Sequence, residues 1–74
     1  MPFVSIKVIE GVFTSDQKHA MVERLTDTLV DIEGEAMRGV TTVVIEEVAS
    51  GNWGIGGKCL STADVKALAA TASV

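Results

Sequence analysis

Proline stands second in the chain, directly after the initiator methionine. Its small side chain permits removal of Met1, and that removal leaves a secondary amine as the new terminus. An ordinary α-amino group titrates near pH ~8. Desolvation or neighbouring cations lower that value toward neutrality, giving a base poised to take and return protons at physiological pH. Pro2 is therefore the candidate catalytic residue. Met-Pro starts are common without any catalytic reason, so the amine gains meaning only from the residues that accompany it. Chief among these is Ser50-Gly-Asn-Trp-Gly-Ile-Gly-Gly57, a loop-like segment that carries Trp53, the one tryptophan of the chain.

Other groupings lead elsewhere and fail. Gly54-Ile-Gly-Gly57-Lys58 suggests a phosphate loop, but that motif needs glycine where Asn52 stands and Ser or Thr where Cys59 stands. A dinucleotide fingerprint starting at Gly54 loses its last glycine to Cys59. His19, Cys59 and the Glu46-Glu47 pair lack a spacing that converges on one ion, so no metal site is predicted, and no cofactor is called for. His19 reads as a surface histidine on the polar side of a helix, and Cys59 as a partly buried, inert thiol.

The elements that position these residues follow from periodicity. From Pro2 to Glu10, Val4, Ile6 and Val8 fall on one face and Phe3, Ser5, Lys7 and Ile9 on the other, the alternation of a strand, with Gly11 as its end. Thr14-Ser-Asp-Gln17 is a capping box that opens a helix. The helix's inward stripe reads Met21, Val22, Leu25, Leu29 and Ile32, and Gly34 supplies the left-handed residue beyond its end. Val40–Val48 is β-rich and apolar on both faces at its centre, a strand covered on both sides. A strand–helix–strand order with this crossover favours a parallel pair. The glycine-rich segment suits tight turns or a short hairpin from which Trp53 and Ile55 project. Ser61-Thr-Ala-Asp64 caps a C-terminal helix with a stripe of Val65, Leu68 and Ala69, and the residues from Ala70 to Val74 are expected to fray. The predicted fold is α/β (α+β), a single domain over residues 1–74.

Size and composition bound what such a domain can do. The chain has 74 residues, 47% of them apolar, with a mean hydropathy of +0.38, yet no apolar run nears the roughly 20 residues of a membrane span. A small subunit with excess apolar surface and a two-stranded sheet buries against its copies what it cannot bury alone, so a homo-oligomer is expected. Six basic residues against ten acidic ones, with the basic ones scattered, leave no footprint for nucleic acid. A lone cysteine and the absence of a secretory pattern point to the cytoplasm.

Taken together, the Pro2 start, Ile9-Glu10-Gly11 at the strand exit, Asp16-Gln17-Lys18 at the helix opening and Gly51-Asn-Trp-Gly-Ile-Gly-Gly57 resemble the 4-oxalocrotonate tautomerase family of the tautomerase superfamily. The order and spacing match over nearly the whole chain, with one extra residue between Gly11 and the helix. The resemblance implies a β-α-β subunit, pairing into a four-stranded sheet and assembling further into a hexamer. It implies a cofactor-independent isomerase of a small enol or keto acid, in which Pro2 takes a proton from the enol and returns it to carbon. It also implies that Trp53 helps to form an apolar pocket.

The resemblance has a gap with chemical consequences. Family members bind dicarboxylates with two arginines, and the matching positions here are Val12 and Thr42, neither of which offers a bidentate cationic fork. A muconate-like dicarboxylate is therefore not the expected substrate. Arg38, just before the second strand, or Lys7 on the first can supply a cation from a neighbouring subunit; the plainer reading of each is a solvated surface charge. The candidate substrate-binding residues are Trp53, Arg38 and Thr42. Two alternatives to tautomerisation remain at this stage: addition of water to an activated unsaturated acid with protonated Pro2 as the acid, and a non-catalytic subunit of a mixed oligomer.

Overall fold

A computed structural model describes residues 2–72. The element order is β1 (Phe3–Ile9), α1 (Ser15–Glu33), a 3₁₀ helix (Glu35–Val40), β2 (Thr42–Val48), β3 (Trp53–Ile55), β4 (Lys58–Leu60) and α2 (Thr62–Ala72). β1 pairs with β2 and β3 with β4. The Thr42 N–H donates to the Pro2 carbonyl (3.1 Å) and the Glu10 N–H to the Val48 carbonyl (2.8 Å), so β1 and β2 advance in the same direction. The chain forms two compact units, both threaded by these strands. One comprises residues 2–6 and Thr14–Glu46; the other comprises Lys7–Phe13 and residues 47–72.

The first unit is organised by α1. Thr14 Oγ1 accepts from the Gln17 N–H (3.1 Å) and Gln17 Oε1 accepts from the Thr14 N–H (2.8 Å), the reciprocal cap that the sequence predicts. Met21, Val22, Leu25 and Leu29 are half-buried. Ile32, assigned to the same stripe, is instead 81% exposed, because nothing among the described residues covers the last turn of that face. The buried residue of α1 is Val30. Gly34 ends the helix at φ +105, ψ +149, positive as predicted but extended rather than helical in ψ, and its N–H donates to the Val30 carbonyl (2.8 Å).

The expected strand from Val40 begins two residues late, at Thr42. Residues Glu35–Val40 instead coil into the 3₁₀ helix, which packs against α1. Local bonds favour the coil: the Thr41 N–H donates to the Arg38 carbonyl (3.3 Å) and Thr41 Oγ1 to the Met37 carbonyl (2.8 Å). Thr41 Oγ1 also contacts the Glu33 carboxylate, tying the segment to the end of α1.

The second unit gathers the C-terminal half of β1, the hairpin and α2. Val8 and Ile9, neighbours on opposite faces of β1, are both buried, as is Leu60 on β4, so both faces of this strand end are covered. The hairpin pairs Trp53 with Leu60, Gly54 with Cys59 and Ile55 with Lys58, antiparallel. Its two-residue turn is Gly56-Gly57, with φ +61 and +84. Two successive positive φ values match the strand twist and are open to glycine at little cost. Cys59 is exposed rather than partly buried, since its neighbour Leu60 takes the inward position and alternation turns Cys59 outward.

α2 starts from a second reciprocal cap: the Asp64 N–H donates to Ser61 Oγ (3.1 Å) and the Ser61 N–H to Asp64 Oδ2 (3.0 Å). It stays helical through Ala72, past the expected start of fraying at Ala70; Ser73 and Val74 lie outside the described residues. The strand exit is clasped to the hairpin and helix. Thr62 Oγ1 donates to the Glu10 carbonyl (2.7 Å), the Thr62 N–H to Ser50 Oγ (2.9 Å) and the Ser50 N–H to Glu10 Oε1 (2.9 Å). Among the described residues no helix is long and apolar enough to cross a membrane.

Candidate active site

Pro2 is half-buried immediately before β1. Its carbonyl is fixed by the Thr42 backbone N–H at 3.1 Å, so β2 anchors the residue through its main chain. That bond fixes the main chain of Pro2 at the end of the sheet. Thr42 therefore meets Pro2 through its backbone, while its side chain is exposed. An alcohol there can donate one hydrogen bond but cannot form the paired, charged contact that a guanidinium makes with a carboxylate.

Arg38, in the same unit, is exposed and already occupied. Its Nε donates to Glu35 Oε1 (2.7 Å), its Nη2 to Glu35 Oε2 (3.3 Å) and its Nη1 to Asp27 Oδ1 (2.8 Å). Hydrogen bonds to Glu35 and then Asp27 push the guanidinium further above its ordinary value, and the bond to Arg38 holds the Glu35 carboxyl below the usual carboxylate range. Val22, Glu23 and Thr26 line a surface depression with this Arg38–Asp27 pair. The cation expected to be available is thus neutralised by two acids on its own chain.

Trp53 belongs to the second unit, where it opens β3 and is half-buried. It lines a cavity of about 370 Å³ together with Lys7, Ile9, Val12, Phe13 and Val65. Val12 is part of this apolar wall. Phe13 and Val65 were not singled out by sequence reasoning as site residues. Phe13 is one of only two phenylalanines, and its place in the short loop before Thr14 was the available signal. Asp64, at the start of α2, has its carboxyl held below the usual range by the Ser61 backbone N–H and then the Ser61 hydroxyl.

Comparison with known proteins decides between the activities that the sequence leaves open. The sequence profile of the family described as "Tautomerase enzyme" matches residues 2–63. The chain belongs to the tautomerase family. It is an isomerase, and the matches do not favour the water-adding alternative. A probable tautomerase K2 from Dickeya dadantii is 39% identical over 61 residues, 82% of this chain and 90% of that one. A 2-hydroxymuconate tautomerase from Pseudomonas putida is 46% identical over 57 residues, 77% of this chain and 87% of that one. Among solved structures, one of the 4-oxalocrotonate tautomerase isozymes of Methylibium petroleiphilum superposes with a TM-score of 0.69 at 34% identity, covering 86% of this chain and 97% of that one. The β-α-β order with its parallel pair, hairpin and C-terminal helix is thus the tautomerase fold. Family members act on small molecules.

Proposed function

We propose that this tautomerase moves a proton between the enol oxygen and a carbon of a small unsaturated keto acid, with the amine of Pro2 as the base and acid. In this reading Met1 is removed, and the neutral Pro2 nitrogen takes the enol O–H proton. The electron pair of that bond forms the carbonyl, the double-bond electrons shift along the chain, and the protonated amine returns the proton to the terminal carbon. No atom is gained or lost. The observation that carries the reading is the family match beginning at Pro2, supported by the backbone bond that fixes Pro2 to β2.

The remaining roles are assigned separately. Trp53 is the wall of an apolar pocket. Thr42 positions Pro2 by its backbone and offers one hydroxyl. Arg38 reaches a substrate carboxylate only by exchanging Glu35 or Asp27 for it, so Arg38→Ala is expected to change KM modestly and to leave kcat nearly intact. The 74 residues act as one domain, in a cytoplasmic homo-oligomer of hexameric or dimeric type. Support comes from the exposed Phe3 (66%) and Ile32 (81%) and from the open edges of a two-stranded sheet.

The test combines an intact mass with turnover of phenylenolpyruvate and 2-hydroxymuconate. A mass lacking Met1 is expected, and Pro2→Ala should lower kcat at least about a hundredfold, the usual contribution of a positioned base. A retained methionine, or full activity in Pro2→Ala, overturns the reading.

A further inference from the structure

The cavity lined by Trp53 carries a second message, because its lining is apolar apart from one cation. Val12, Phe13, Trp53 and Val65 bring two aromatic rings and two branched aliphatic groups to one hollow of about 370 Å³, inside the range of small-molecule sites, roughly 300–1,000 Å³. Lys7 completes the lining. Unlike Arg38, which two acids hold, Lys7 makes no ion pair or side-chain hydrogen bond among the described residues. Arg24, Lys58 and Lys66 are likewise without an ion pair among the described residues, so Lys7 is distinguished by its place in the lining beside Trp53 and Phe13 rather than by being unpaired.

We infer that this cavity binds an apolar monocarboxylate, its aryl or alkyl body against Trp53, Phe13, Val12 and Val65 and its single carboxylate paired with Lys7. A body of this kind removes apolar surface from water at about 25 cal/mol per Å², whereas a second carboxylate at its far end would have to enter the hollow without a partner and bear the cost of desolvation. Val12 is the position that makes the difference, since its isopropyl group closes the wall where a guanidinium would receive that second charge. The cavity thus selects one charge and a greasy tail. The inference rests on the proposed function only in naming such an acid as the substrate class; binding itself does not require Pro2.

Trp53 is the sole tryptophan and the chain has no tyrosine, so its emission reports on the cavity directly. Hydrocinnamate, a saturated acid that cannot tautomerise, is titrated into the full-length protein, with adipate as the dicarboxylate and hydrocinnamamide as the neutral analogue. Hydrocinnamate should give a saturable change, with adipate at least about tenfold weaker. Lys7→Gln, a surface substitution, should weaken hydrocinnamate about fivefold and leave hydrocinnamamide unchanged. Phe13→Ala should weaken both aryl ligands. Pro2→Ala should bind hydrocinnamate like the parent protein. A lack of saturable change, equal binding of adipate, or indifference of hydrocinnamate to Lys7→Gln each overturns the inference, as does a cavity closed by a second copy of the chain, which would show as no response at all. Failure of this binding alongside Pro2-dependent turnover of an enol leaves the proposed function standing. Binding without such turnover does the reverse.

Discussion

Gly11 is where β1 leaves the sheet, and replacing it with alanine should cost about 2–3 kcal/mol through two separable causes. The residue sits at φ +80, where a Cβ costs roughly 1–2 kcal/mol. A Cβ built there would also stand 3.1 Å from Thr62 Cγ2, closer than ordinary van der Waals contact, and forcing a methyl into such a contact costs about 1 kcal/mol, the low end for overpacking. Thr62 cannot simply turn away. Its hydroxyl donates to the Glu10 carbonyl at 2.7 Å and its backbone N–H to Ser50 Oγ at 2.9 Å, so the side chain is pinned over Gly11. Thr62→Ser keeps the hydroxyl and removes the offending methyl. In that background Gly11→Ala should cost only the backbone share, about 1–2 kcal/mol, leaving a coupling of about 1 kcal/mol between the two positions. Urea unfolding followed by Trp53 emission, at one fixed protein concentration, measures all four proteins. The reasoning is refuted if Gly11→Ala falls within about 0.5 kcal/mol of the parent, the range of an unremarkable surface change, or if its cost is the same in both backgrounds.

Two further outcomes follow from the helix caps. Thr14→Ala removes the acceptor of the Gln17 N–H and should destabilise the chain by about 1 kcal/mol in the same urea assay, with little effect on kcat. Asp64 has a folded pKa held below its ordinary value by Ser61, so its contribution to stability is fully present above the unfolded carboxylate value, about 3.9, and is lost as pH falls through the lowered folded value. The stability gap between the parent and Asp64→Asn should therefore be constant near neutrality and close progressively in acid; a gap that widens on acidification would contradict the sign.

Much of this fold is legible in the sequence because its signals are local. The capping boxes at Thr14 and Ser61 each span four residues and close by their own side chains. The alternation in β1 obeys a period of two, and the hairpin turn is written in the adjacent pair Gly56-Gly57. Cys59 departs from its expected partial burial for an equally local reason: which side of a three-residue strand faces inward depends on what packs there, here Leu60.

The sequence by itself determined the element order, the parallel crossover and both helix caps. Tertiary structure alone decided what the cations do. Glu35–Val40 reads as the approach to a strand, yet it coils and delivers Arg38 to Asp27, eleven positions away, and to Glu35 beside it. Lys7 looks like any solvated charge on an exposed strand face until the loop after β1, the hairpin and α2 bring Val12, Phe13, Trp53 and Val65 around one hollow. The Glu10–Ser50–Thr62 clasp joins residues 40 and 52 positions apart. Periodicity reports only on neighbours within a turn or a strand. Whether a charge is spent or left free depends on groups that only folding makes neighbours.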